Sequence, residues 1–186
     1  MRVITGKYKG RTLVSIQDRS IRPATDRVKA TIFNMLQNRL GVINAKVLDL
    51  FAGSGSLGFE ALSRGAAQVV FVDSHRAMIE MINENAQCLG CLDSCDIVHE
   101  DALVFIERET DQYNLIFADP PYAYEKTPQL PTLIFGRQLL KKEGFLIIEH
   151  AKRTIFEPSA FFTLTVQKEF GNTRVSFFTH PSNHEA

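Results

Sequence analysis

From Lys46 onward the chain alternates short apolar runs with amphipathic segments, and this alternation limits the possible folds more than any other feature. The runs are Val47-Leu48-Asp49-Leu50-Phe51, Val69-Val70-Phe71-Val72, Ile97-Val98, Leu115-Ile116-Phe117 and Phe145-Leu146-Ile147-Ile148. Helical periodicity occupies 57–64, 76–89, 101–109 and 127–141 between them. Such runs fit strands buried on both faces, and a strand–helix repeat predicts a parallel sheet covered by helices on both sides, an α/β fold of Rossmann-like type. Residues 162–170 and 174–179 then read as consecutive strands with a turn at Gly171-Asn172. Two strands without an intervening helix predict an antiparallel hairpin at the sheet edge.

Ahead of this region, residues 2–16 fit a hairpin turning near Lys7-Tyr8-Lys9-Gly10. Pro23 and Thr25 precede a helical face of Val28, Ile32, Phe33, Leu36 and Leu40, which stops at Gly41. The expected division is an extension over 1–41 and a main domain over 42–186. Charge sets the two apart. The net charge of the chain is zero, yet residues 1–29 hold Arg2, Lys7, Lys9, Arg11, Arg19, Arg22, Arg27 and Lys29 against Asp18 and Asp26, leaving that segment at +6 and the remainder at −6. A basic arm on an acidic body predicts a polyanionic partner, although a solvated charged face would look the same.

Nothing in the sequence suggests a membrane or an oxidising compartment. No apolar run approaches the roughly 20 residues of a membrane span, and the N-terminus lacks an apolar signal-peptide core. The three cysteines fall between 88 and 95, which suits a reducing cytoplasm better than a disulfide framework. A monomer is expected, since nothing suggests a higher assembly.

The first strand leads into Gly53-Ser54-Gly55-Ser56-Leu57-Gly58, a G-x-G-x-x-G pattern between strand and helix, and Asp73 follows Gly53 by 20 residues at the end of the second strand. This arrangement fits an adenosine-containing cofactor, with backbone approaching the ligand at the glycines and the acid on ribose hydroxyls. Asp49, inside an otherwise apolar strand, bears on which cofactor. A buried carboxylate needs donors or a positive partner, and a pyrophosphate would repel it. S-adenosylmethionine carries an ammonium and a sulfonium and no phosphate, so it is favoured over NAD. Asp101 follows the third strand, where it could accept from an adenine amino group, cap the next helix, or do both.

The fourth strand ends in Asp119-Pro120-Pro121-Tyr122. Ligands of doubly wound sheets bind at the carboxyl ends of the strands. Prolines remove competing N–H donors and lock the backbone. The Asp119 carboxylate and the Pro120 carbonyl are suitable acceptors for the two hydrogens of a planar exocyclic amine, and Tyr122 offers a ring on which a base can stack. The predicted chemistry is methyl transfer to a base amino group, governed mainly by positioning and needing no metal.

These motifs extend along the chain: Arg22-Pro23-Ala24-Thr25-Asp26-Arg27-Val28-Lys29, the run from Asp49 through Gly58 to Ala66, Asp119-Pro120-Pro121-Tyr122, and Gly171-Asn172-Thr173-Arg174-Val175. Together they resemble the bacterial small-subunit (16S) rRNA guanine-N2 methyltransferase family, and the resemblance covers nearly the whole chain. It implies a class I S-adenosylmethionine-dependent fold, a seven-stranded, mostly parallel sheet with its last strand reversed. It also implies methylation of one guanine amino group in 16S rRNA, with an assembled or partly assembled small subunit as the substrate. The implied cofactor residues are Asp49, Phe51, Ala52, Gly53, Ser54, Gly55, Asp73, Asp101, Ala102 and Thr25. Ala24 stands where a hydroxyl residue is expected, which weakens the case for Thr25. Asp119, Pro120, Pro121 and Tyr122 would hold the base, and Arg2, Lys7, Lys9, Arg11, Arg22 and Arg27 would grip the RNA backbone.

Other readings stay open. An adenine-N6 DNA methyltransferase can share Asp-Pro-Pro-Tyr, but little sequence remains for a target-recognition region. Protein glutamine methylation would be expected to place Asn at position 119. A non-catalytic ribosome-assembly factor would have no need of Asp119. Cys88-x2-Cys91-x3-Cys95-x3-His99 has zinc-like spacing, but an extended strand would hold residues 95 and 99 about 13 Å apart. No metal is expected.

Overall fold

The computed structural model describes residues 1–15, 26–37 and 41–181. Five parallel strands form its centre: β1 (Lys46–Leu50), β2 (Gln68–Asp73), β3 (Cys95–His99), β4 (Tyr113–Ala118) and β5 (Leu140–Ala151). Strands β6 (Thr163–Phe170) and β7 (Thr173–Thr179) complete a seven-stranded sheet of order β3-β2-β1-β4-β5-β7-β6. β7 is antiparallel to both of its neighbours. The hairpin therefore reaches the sheet as expected, but its second strand inserts beside β5 and leaves β6 as the edge.

The helices are α1 (Asp26–Gln37), α2 (Ser56–Ser63), α3 (Arg76–Leu89), α4 (Ala102–Arg108) and α5 (Leu130–Gly136). Period-two alternation along the strands separates two apolar layers. Val47, Val69, Phe71, Leu115, Phe117, Ile147 and Val175 pack with residues of α1, α2 and α3, whereas Leu48, Val70, Ile116, Leu146 and Ile148 pack with residues of α4 and α5. Each large apolar side chain so buried contributes about 1.5–3 kcal/mol. Val3, Leu13, Val28, Ile32, Phe33 and Leu36 join the first of these layers, so the N-terminal segment shares a core with the body.

Two expected elements differ. The helical pattern over 127–141 resolves into a 3-10 turn at Thr127–Gln129, then α5, then β5. Gln138 takes a left-handed φ of 58°, and the Leu139 carbonyl accepts from Tyr113 N–H at 2.8 Å, so the chain has already joined the sheet. Residues 2–15 of the expected hairpin fold back as predicted, but among the described residues of this segment only Arg2 and Thr12 form a β-bridge, and Ile16 lies outside them. The polar turn bonds within itself and also to the body, with Lys7 N–H donating to the Ser63 carbonyl of α2 at 2.7 Å. Leu40 lies outside the described residues.

The strand order reverses between β1 and β4, since β1 leads to β2 and β3 on one side and β4 lies on the other. A doubly wound sheet opens its ligand crevice at the carboxyl ends of such a pair.

Candidate active site

β1 ends at Leu50, and the next residues climb out of the sheet. Phe51 adopts φ 56°, Gly53 φ 56° and Gly55 φ 77° before α2 begins at Ser56. The Phe51 twist turns its ring to the α4/α5 side, where it meets Tyr124 edge-on with centroids 5.0 Å apart. Ala52 N–H donates to the Val72 carbonyl at 3.1 Å, which ties the loop to β2. The glycines differ in role. A Cβ at Gly58 would stand 2.2 Å from the Phe71 ring, so this glycine allows α2 to close on β2. A Cβ at Gly53 would meet nothing nearer than 4.0 Å, so its backbone faces open space. Ser54 is held by the buried Asn85, whose amide donates to the Ser54 carbonyl at 3.2 Å and to the Val14 carbonyl at 3.0 Å. One α3 side chain thus fastens both the glycine loop and the N-terminal arm.

Asp73 closes the loop from below. Its carboxylate accepts from Gly53 N–H at 2.8 Å and from His75 N–H at 2.9 Å. Asp101 caps α4, accepting from Leu103 N–H at 2.9 Å, and Ala102 begins that helix in a buried position. Asp49 is buried beneath the loop and accepts from Gly58 N–H at 2.9 Å, which satisfies one free donor of the first α2 turn. Burial raises its carboxyl to about 8, the Gly58 bond offsets part of that rise, and Asp73 adds to it.

Register aligns the other acids. Leu50 pairs with Val72 and with Ala118, and Ala118 pairs with Ile148. The next positions on β2, β4 and β5 are Asp73, Asp119 and Glu149, and alternation puts all three on the α1–α3 side. Asp119 continues the ladder, its N–H reaching the Leu50 carbonyl at 3.4 Å. Burial holds the Asp119 carboxyl well above the usual range, with the charges of Glu149 and Asp49 adding to the shift in that order. Sequence reading missed Glu149. A signal was present, because it follows the run 145–148 as Asp119 follows 115–118 and Asp73 follows 69–72.

After Asp119 the chain makes a tight turn. The Pro121 carbonyl accepts from Tyr124 N–H at 2.8 Å, and the Tyr124 carbonyl accepts from the Thr127 hydroxyl at 2.7 Å. Pro120 is buried, while Pro121 and Tyr122 stand out from the surface. Tyr122 keeps 41% of its surface exposed, and its hydroxyl is hydrogen-bonded to that of Thr173 on β7. Desolvation, and then the Asp101 charge, raises the Tyr124 phenol.

The basic arm divides into structural and exposed parts. Lys29 is fully buried and donates to the Arg2 carbonyl at 2.7 Å. Burial lowers its ammonium, and the Glu60 charge opposes that shift most strongly. Glu60, also fully buried, accepts from Ile4 N–H at 2.7 Å and Thr5 N–H at 3.1 Å, and pairs with Arg64 at 2.8 Å. Arg2 pairs with Asp26 at 3.0 Å, and Arg11 donates to the Cys88 carbonyl at 2.9 Å. Arg27 lies 5.9 Å from the Phe170 ring centroid. Lys7 and Lys9 are exposed. Arg22 and Thr25 lie outside the described residues.

These residues fit a cationic adenosine ligand. Asp49 and Asp119 are both raised by burial and by neighbouring carboxylates, a strain that a positive group relieves, and the left-handed Gly53 backbone leaves room for a close approach. The cysteines are arranged differently from a zinc centre. Cys91 and Cys95 have sulfurs 4.0 Å apart, Cys88 is exposed, and the His99 ring bonds to the Ser74 carbonyl at 3.0 Å. Among the described residues no three His, Cys, Asp or Glu side chains are placed to hold a metal ion, and no helix is long and apolar enough to cross a membrane.

The sheet order, the reversed β7 and the crevice at the β1/β4 switch point define a Rossmann-like class I methyltransferase fold. A family model described as conserved hypothetical protein 95 matches residues 1–179, and the chain belongs to that family. It is 38% identical to the Bacillus subtilis protein YlbH, with 96% of this chain and 98% of the relative covered. It is 32% identical to the ribosomal RNA small subunit methyltransferase D of Haemophilus influenzae over 92% of this chain and 89% of that protein. The solved structure of Escherichia coli yhhF superposes with a TM-score of 0.85 at 29% identity, covering 98% of this chain and 99% of the other.

Proposed function

We propose that the protein transfers a methyl group from S-adenosylmethionine to the exocyclic N2 amino group of one guanine in small-subunit (16S) rRNA, in the cytoplasm and as a monomer. Membership in a family with small-subunit rRNA methyltransferases supports the RNA substrate. The observation that carries the amino-group chemistry is Asp119 at the carboxyl end of β4, its N–H reaching the Leu50 carbonyl where the glycine loop begins, followed by Pro120 and the exposed ring of Tyr122.

In this reading S-adenosylmethionine supplies an electrophilic methyl group on a sulfonium. Asp49, Phe51, Ala52, Gly53, Ser54, Gly55, Asp73, Asp101, Ala102 and Thr25 form its binding site. Tyr122 stacks on the target base, a contact worth roughly 1–3 kcal/mol, and Thr173 holds the ring at its hydroxyl. Asp119 and the Pro120 carbonyl accept the two amino hydrogens and aim the nitrogen lone pair into the cofactor site. The Pro121 carbonyl is committed to the turn, which leaves the Pro120 carbonyl for this task. Once the nitrogen is methylated it is cationic, and its proton passes along the existing hydrogen bond to Asp119.

Residues 1–41 serve as an RNA-contacting extension of the methyltransferase domain at 42–186. Lys7, Lys9, Arg27 and Arg22 reach the phosphates, and Arg2 and Arg11, already engaged by Asp26 and the Cys88 carbonyl, contribute less. The substrate is an assembled or partly assembled small subunit.

The test is transfer of a tritiated methyl group to small subunits lacking the modification, to naked 16S rRNA and to duplex DNA, each with Asp119→Ala in parallel. Label on subunits that is absent in the variant, recovered as N2-methylguanosine, is the expected result. Label on DNA alone, recovered as N6-methyl-2′-deoxyadenosine, would overturn the reading.

A further inference from the structure

We infer that Glu149 is a specificity-determining residue that reads the N1–H of the target guanine, next to the amino group held by Asp119. The inference rests on the guanine-N2 reading above and adds to it the means by which guanine is told from other amino-bearing purines.

Glu149 lies near the carboxyl end of β5, where Ala118 pairs with Ile148, so Asp119 and Glu149 are neighbours across two parallel strands. Such neighbours are about 4.8 Å apart along the sheet. Alternation points both side chains to the same face, that of Phe117 and Ile147, which pack on the α1–α3 side. The adjacency has an electrostatic consequence: after burial, the Glu149 charge is the largest influence raising the Asp119 carboxyl. The Glu149 side chain is longer by one methylene. It is buried at 6% exposure, with Ile147 and Ile148 before it on β5, Val175 opposite on β7, and the buried His150 next along the strand. The transfer chemistry assigned to Asp119, Pro120 and Tyr122 does not use it.

The Watson–Crick edge of guanine presents an N1–H beside the N2 amino group, an unbroken set of donors. Two adjacent acceptors complement that edge. Adenine and 2,6-diaminopurine also present an amino group, but their N1 is a lone pair, and an ionised carboxylate facing it is repulsive. A site built around a hydrogen-bonded donor rejects the analogue lacking it more strongly than an apolar pocket rejects a size change. Asp119 alone cannot discriminate in this way, because all three purines offer it an N–H2.

The deciding probe is 2,6-diaminopurine, which keeps the C2 amino acceptor and changes only the hydrogen at N1 and the group at C6. The wild-type enzyme first methylates unmodified subunits, and the product nucleoside and its position are mapped. Subunits are then reconstituted with 16S rRNA carrying guanine or 2,6-diaminopurine at that position, and kcat/KM is measured for wild type and Glu149→Gln. Wild type should prefer guanine by roughly 10- to 100-fold, the size of one charge-assisted hydrogen bond. Glu149→Gln should lose activity on guanine and gain on 2,6-diaminopurine, because its amide can donate to N1. Its affinity for S-adenosylmethionine and its melting temperature should stay close to wild type. An unchanged preference in Glu149→Gln overturns the inference, as does equal loss on both substrates together with loss of cofactor affinity, which would make Glu149 a structural residue. A wild-type product other than N2-methylguanosine defeats the guanine reading itself and is recognised before any variant is tested.

Discussion

Tyr122 and Thr173 share a hydroxyl–hydroxyl hydrogen bond across 51 residues of sequence. The bond joins the turn after β4 to the start of β7, two segments not adjacent in the sheet, since β5 lies between them. It fixes the orientation of an aromatic ring that is otherwise open to solvent. Thr173→Val keeps the shape and removes the partner. The expected outcome is a fall of several-fold to about 10-fold in kcat/KM for methyl transfer, because misplacing a positioned group costs rate without touching the reacting atoms. Cofactor affinity, followed by isothermal titration, should not change. Tyr122→Ala should cost more, about 10- to 100-fold, through loss of base stacking.

Asp119→Asn should reduce kcat by roughly 100-fold or more, since its amide offers a single acceptor oxygen and cannot take up the proton. Small-subunit binding, measured by co-sedimentation, should be retained. The wild-type rate should fall with acidification at a pH above the ordinary Asp range, because the Asp119 carboxyl is raised and only its ionised form can take up the proton. A wild-type pH profile flat down to the usual carboxylate range would exclude this role.

Asp49 makes the pH dependence of stability testable. In the unfolded chain its proton leaves near the ordinary value of 3.8, and in the fold it stays until about 8. The folded state therefore binds more protons in that window, so stability falls as pH rises through it, by up to about 1.4 kcal/mol per pH unit. Thermal melts of the cofactor-free protein should show this decline, and Asp49→Asn should flatten it, since its carbonyl can still accept from Gly58. The same variant should bind S-adenosylmethionine more weakly. A decline of unchanged slope in the variant would assign the effect to other groups.

Glu60 holds the arm to α2 through Ile4, Thr5 and Arg64. Glu60→Ala leaves Lys29 buried without its main counter-charge. Breaking a buried ionic network on one side costs about 3–5 kcal/mol. Urea unfolding should report a loss of that size, and limited proteolysis should cut first within residues 1–15.

Lys7 and Lys9 project from the arm and test the RNA surface. Replacing either with Gln should weaken subunit binding at low salt and lower the slope of log K against log salt concentration by about one per residue. The methylated position should not move, because phosphate contacts position the RNA without reading sequence. A salt slope unaffected by both changes would assign RNA binding to another face.

Much of the candidate site was legible in the sequence because its chemistry is local. The Gly53–Gly58 turn, Asp73 at the end of β2 and Asp119-Pro120-Pro121-Tyr122 after β4 each lie within a few residues of a strand end, where turn geometry and residue type speak together. The split of 127–141 was not legible, because only Gly136-Arg137-Gln138 separates the apolar residues of α5 from Leu139 and Leu140, and Gln138, rather than a glycine, takes the left-handed conformation. Helical spacing puts Lys29 with Ile32, Phe33 and Leu36 on the apolar face of α1, unlike Arg27, but its charge alone reads as a solvated side chain. Its burial follows from α1 packing over Glu60, a residue on another helix.

By itself, then, the sequence determined the order and kind of the elements, the glycine loop and the acids that terminate β2 and β4, since periodicity, backbone freedom and hydrogen-bonding capacity belong to individual residues and their immediate neighbours. Only the tertiary structure decided that β7 inserts between β5 and β6, that Tyr122 meets Thr173, and that Glu149 stands beside Asp119 above Asp49. Those relationships depend on which strands pair and in what register, and pairing is settled by burying two apolar layers of one sheet at once, a condition that no short stretch of chain can express.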